Sequence, residues 1–269
     1  MPIVLLVLAG LLGAPVEIDA GASEGLSLVS AINIAGRQRM LSQRILLAYC
    51  QAGLGVMPDA ARRRLAESVR LFDTQLAELK GFAPTPEVRD TLAQVEEVWT
   101  PFREIVRQPP SREGARRLLF WNDDLLFTAD KVVRLLQDLS DQPYARLVNI
   151  AGRQRMLSQR AAKFYMLREW GFDRPSIRDE MARARNEFAG ALAALRAAPE
   201  NTDAILAALD EAEMSWTWFD HALSLRGGEH YRLIVADSTE AILVQMDRVT
   251  GMYERLATRD RQDAAKARE

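Results

Sequence analysis

The amino-acid sequence predicts an all-α protein made of two tandem four-helix up-down bundles packed as a pseudo-twofold dimer. Three observations lead there. The string NIAGRQRMLSQR at Asn33–Arg44 returns letter for letter at Asn149–Arg160, 116 residues later. Prolines and glycines interrupt the chain at matching places in both halves. Between those breaks apolar residues recur at spacings of three and four, the period of an amphipathic helix, while strand-like alternation is nearly absent.

The elements follow in order. Ile3 to Val16 is an apolar run too short to span a bilayer comfortably, followed by small residues at Ala20 and Ala22. Residues 1–22 are therefore expected to be a signal peptide or N-terminal anchor, although no Lys or Arg precedes the run. The first module, 23–141, begins with the helix carrying the dodecamer. Breaks at Gly53–Pro58, Pro84–Pro86 and Pro109–Pro110 divide it into four helices. Leu65, Val69, Phe72, Leu76 and Leu79 form the apolar stripe of the second helix. Trp99 and Phe102 lie on one face of the third, a stripe expected to be core. The fourth reaches a junction near Asp141–Pro143 and is expected to run almost directly into the next helix.

The second module, 142–260, repeats the plan, with breaks at Gly171–Pro175, Pro199 and Gly227–Gly228. Phe72, Leu76 and Leu79 recur as Phe188, Leu192 and Leu195 at the same offset. Glu96, Trp99, Thr100 and Phe102 recur one residue later as Glu213, Trp216, Thr217 and Phe219. Asp130, Val132 and Leu139 match Asp247, Val249 and Leu256. A charged tail, 261–269, is expected to fray. Short loops make sequential helices antiparallel.

Composition narrows the function classes. Of 269 residues 48% are apolar and 27% charged, with a formal net charge of -2, so a full core is available and a nucleic-acid face is not expected. Arg62, Arg63 and Arg64 form the densest basic run, read as a solvated helix face. Cys50 is the one cysteine, and His221 and His230 are the two histidines. Neither a disulfide framework nor a metal or other cofactor site is expected. Catalysis is not expected either: Asp123–Asp124 and Glu96–Glu97 are helix neighbours that point to different faces, and Ser42 and Ser158 have no nearby histidine.

The dodecamer carries the candidate site. On a helix Gly36, Arg39 and Gln43 share a face, as do Gly152, Arg155 and Gln159. A mid-helix glycine costs roughly 1 kcal/mol relative to alanine, and close approach of another backbone is the expected compensation. If the two first helices pack at their glycines, Arg39 and Arg155 converge. Two like charges about 5 Å apart repel by roughly 3 kcal/mol at an effective dielectric near 20. An anion between them reverses that sign, and two guanidinium forks suit a planar oxyanion such as nitrate or nitrite. Gln43 and Gln159 are candidates to complete the shell. A pure docking bundle does not need this convergence, and arginines that point apart or bond to Asp or Glu would favour it.

The string AGRQRMLSQR resembles the signature of the PilJ-type sensor domain, the N-terminal region of type IV pilus chemotaxis transducers. It is more loosely similar to the periplasmic motif of nitrate/nitrite sensor kinases. The resemblance implies a four-helix bundle that dimerises and binds nitrate or a related anion between first helices. It places anion contacts on Gly36, Arg39, Gly152 and Arg155. Supporting roles fall to Arg37 and Arg153, and to Asn33, Asn149, Gln43 and Gln159. Here both modules lie on one chain, so an internal pseudo-dimer replaces the homodimer. The expectation is a periplasmic binding module that reports to a membrane receptor or another signalling partner.

Overall fold

The structure, a computed structural model, describes residues 26–140, 143–225 and 227–266. The candidate export segment, 1–22, lies outside the described residues. Eight helices and no strand are present among the described residues: α1 (Leu28–Leu54), α2 (Pro58–Phe82), α3 (Pro86–Val106), α4 (Arg112–Asp138), α5 (Pro143–Glu169), α6 (Pro175–Arg196), α7 (Asp203–Ser224) and α8 (Glu229–Lys266). The punctuation read from the sequence acts through caps. Ser27, Thr85, Ser111 and Thr202 each accept a hydrogen bond from the backbone N–H three residues on. Proline opens α2, α3 and α6, where its missing N–H costs nothing. Each such cap is worth about 1 kcal/mol.

Helices α1 and α5 lie against each other along their length and form the seam of the molecule. Around α1 pack α2 and α4; around α5 pack α6 and α8, while α3 and α7 close the bundles against α4 and α8. This arrangement leaves α1 and α5 with almost no exposed face. Each is consequently buried along polar as well as apolar positions, including Gln38, Arg39, Ser42 and Gln43 on α1 and Gln154, Arg155, Ser158, Gln159 and Lys163 on α5.

The aromatic stripes are core. Phe72 stacks on Trp99 at 4.0 Å between ring centroids, and Phe188 on Trp216 at 3.7 Å. Trp99 Nε1 donates to Asp73 Oδ1 (2.7 Å), which satisfies its one polar atom. At the junction between the modules α4 ends at Asp138 and α5 opens at Pro143, with 141–142 outside the described residues. The charged tail expected to fray from 261 is instead helical as far as Lys266, the end of α8, and 267–269 lie outside the described residues. No helix among the described residues is long and apolar enough to cross a membrane.

Trp170, just past the end of α5, locks one end of the seam. It lies on Gly53 of α1 so closely that a Cβ there would meet its ring at 2.1 Å. Gly53→Ala is therefore expected to lower stability by about 1–3 kcal/mol in urea unfolding, as overpacking does. Gly190→Ala, on α6 with nothing near its Cβ position, should instead be neutral or raise stability by up to about 1 kcal/mol.

Candidate functional site

The dodecamer of α1 meets its copy on α5 at the middle of the seam. Arg39 is 1% exposed and Arg155 0%. Their bonding is duplicated about the pseudo-twofold axis. Arg39 Nη1 donates to Asp130 Oδ1 of α4 (2.7 Å), and Nη2 donates across the seam to Asn149 Oδ1 (2.7 Å) and, more weakly, to its carbonyl (3.3 Å). Arg155 Nη1 donates to Asp247 Oδ1 of α8 (2.5 Å), and Nη2 to Asn33 Oδ1 (2.8 Å) and its carbonyl (3.3 Å). The Nε atom of each arginine is buried without a partner.

Both guanidinium heads rest on the paired glycines. A Cβ on Gly36 would lie 3.4 Å from Arg39 Nη2 and 3.6 Å from Arg155 Nη2; on Gly152 the distances are 3.1 Å to Arg155 and 3.8 Å to Arg39. The expectation of backbone against backbone is corrected here. Guanidinium heads fill the space that the missing side chains leave, and all four heads and glycines converge.

The electrostatics are those of an incompletely neutralised cation cluster. Arg37 reaches across the seam to Asp247 (3.0 Å), and Arg134 reaches Asp130 (3.3 Å). Arg37, Arg39, Arg134 and Arg155 thus share Asp130 and Asp247, while Glu254 meets the cluster through the Asn33 amide. Burial pushes Arg155 down to about 10 and lowers Arg39 as well; the aspartates act against that fall. Burial acts to raise the Asp247 carboxyl, but Arg155 and Arg37 outweigh it and hold the group below its ordinary value. An open groove of about 460 Å³ between α4, α5 and α6 has Asp130 and Arg153 in its lining, so solvent reaches the Arg39 side of the cluster.

Other sequence candidates are placed elsewhere. Arg153 pairs with Glu187 (2.7 Å). Gln43 and Gln159 do not face the arginine pair. Gln159 Nε2 donates to Thr239 Oγ1 (3.0 Å), and Gln43 Oε1 accepts from Lys163 Nζ (2.7 Å). Sequence reasoning missed Lys163, which takes the position of Leu47 in the first copy and so left no repeat signal. Its amine also donates to Asn122 Oδ1 (2.7 Å) and lies 4.0 Å from the centroid of the Phe164 ring, with no carboxylate of the described residues bonded to it. It also missed the roles of Asp130 and Asp247, although their recurrence was visible.

The arrangement is two convergent guanidinium groups whose Nη atoms are bonded to Asp and Asn and whose Nε groups are buried without a partner. Among the described residues no cluster of His, Cys, Asp and Glu could hold a metal ion. The family model described as PilJ, type IV pili methyl-accepting chemotaxis transducer N-term, matches residues 23–119 and 140–266. No curated protein and no solved structure matches the chain.

The buried amine of Lys163 makes a ligand-free prediction. Burial, reinforced by Arg160, lowers its pKa well below the ordinary lysine value, against the opposing pull of Asp123, Cys50 and Glu180. A base depressed in the folded state is bound more tightly by protons when unfolded, so stability rises as pH climbs from the folded pKa towards the unfolded one. Urea midpoints should increase over that window, and Lys163→Met should flatten the increase.

Proposed function

The chain belongs to the family of type IV pili methyl-accepting chemotaxis transducer N-terminal domains, and from that premise we propose that it is an exported sensory module that takes a small planar oxyanion, nitrate or nitrite, between α1 and α5. The observation that carries this reading is the pair of fully buried arginines converging over Gly36 and Gly152. Burying two like charges is costly unless anionic groups compensate. A planar oxyanion compensates both at once and uses the Nε groups that the protein leaves without partners. The two tandem modules, 23–141 and 142–260, then act as the halves of one receptor dimer, and the chain works as a monomer. Its function is binding and not catalysis.

The aspartates give the module an output. An anion entering the forks competes with Asp130 and Asp247, which already contact Arg134 and Arg37 and can remain with them. Occupancy then changes how α4 and α8, the last helix of each module, are held against α1 and α5. A membrane receptor or other signalling partner is the expected reader of that change. The docking reading has one observation in its favour, namely that each buried arginine already bonds a carboxylate. It leaves the duplicated convergence without a purpose.

Calorimetric titration with nitrate and nitrite tests the proposal. The protein should show a single saturable site. Arg39→Lys with Arg155→Lys keeps the charge but loses the forks, and should weaken binding by at least roughly tenfold. Arg39→Ala with Arg155→Ala should abolish it while circular dichroism reports retained helicity. Absence of heat with either anion from a folded protein would sink the oxyanion reading in favour of docking.

A further inference from the structure

Away from the seam site, where α4 begins and α5 gives way to α6, lies a second open groove of about 490 Å³. Arg116, Arg117, Leu119, Phe120, Trp121 and Arg174 line it. Phe120 is 72% exposed, the second most exposed large hydrophobic side chain among the described residues after Trp218. Arg117 and Arg174 make no ion pair with any described residue, whereas Arg116 is held by Glu113 (2.7 Å). Neighbouring Arg112 is engaged by the Gly171 carbonyl and the Phe172 ring. Glu113 lies close enough to feel the charge of Arg117 without bonding it, so the groove combines two guanidinium forks free of a bonded carboxylate with apolar surface left in water.

The bundle plan does not call for the exposed members of this set. In the register that pairs Asp130 with Asp247, the second module carries Asp237 and Ser238 where the first has Phe120 and Trp121, and Leu233 and Ile234 in place of Arg116 and Arg117. The second bundle forms without these side chains at the equivalent positions of α8. Leu119 and Trp121 pack partly against the core, whereas packing gives no account of the exposed Phe120 and its flanking arginines.

We propose that this groove docks an acidic segment of a partner protein, with one apolar side chain set between carboxylates. The carboxylates meet the forks of Arg117 and Arg174, which match them bidentately. The ring geometry selects the apolar part. Phe120 and Trp121 stand 5.4 Å apart at 85°, so they form a notch for a side chain and not the flat platform on which a sugar ring stacks. Arginine and tryptophan are also the residues that most often anchor protein interfaces. The proposal is independent of the oxyanion reading, because no residue of this groove touches Arg39 or Arg155.

Fluorescence anisotropy with labelled peptides tests it. The probes each carry one leucine, phenylalanine or tryptophan among aspartates and glutamates; polyglutamate and polygalacturonate serve as comparisons. Saturable binding of at least one apolar-containing peptide is expected, well above polyglutamate. Arg117→Glu with Arg174→Glu should weaken it by roughly tenfold or more, and Phe120→Ala by roughly tenfold. Trp218→Ala, an exposed aromatic on α7, should leave it unchanged. All these side chains are at the surface, so helicity should persist. Equal binding of polyglutamate, insensitivity to Phe120→Ala, or failure of every peptide would each overturn the proposal. Preferential capture of polygalacturonate would do the same and assign the groove to an acidic glycan.

Discussion

Two guanidinium groups are buried together where α1 meets α5, and the rest of the structure is arranged around keeping them there. Like charges in a low-dielectric seam repel strongly, and each has lost its water. Asp130 and Asp247 come from the last helix of each module to face them. Asn33 and Asn149 cross the seam in opposite directions, so each helix supplies acceptors to the arginine of the other. Gly36 and Gly152 provide the room. Because the carboxylates come from α4 and α8, the charge balance of the seam also fixes how those helices seat.

Much of this was legible in the chain. The exact repeat announced the duplication, and proline and glycine marked each helix end because caps and forbidden backbone positions are local properties. The helical period placed Trp99, Phe102, Trp216 and Phe219 in the core for the same reason. The convergence of Arg39 and Arg155 followed from pairing two identical faces. What stayed hidden depends on contacts between segments far apart in sequence. Gly36 and Gly152 were read as points of backbone approach, since spacing cannot tell a backbone from a guanidinium head. Asp130 and Asp247 recurred visibly, but only the packing of α4 and α8 showed whom they face. Lys163 broke the repeat, and a single lysine on a helix reads as solvated until its surroundings are known.

The ionic contacts at the edges of the seam complement this centre. Arg44 grips Glu240 of α8 bidentately (2.5 and 2.7 Å), and Arg160 bridges Asp123 of α4 and Glu180 of α6. Each dodecamer ends in an arginine that reaches over to the opposite module. These partly exposed pairs contribute little stability individually. Their effect is to set register, since a slide of one helix along the other would part both at once.

Writing both halves of a dimer into one chain removes a constraint that identical subunits cannot escape. In a homodimer every substitution appears twice and must suit both sides of the axis. Here each half is spelled separately, so one face can change while the other keeps the arginine network intact. Leu47 matched in the repeat by Lys163, and Phe120 by Asp237, show that such drift has already occurred. A duplicated sensory domain can thereby change one flank without disturbing the arginine network at its centre.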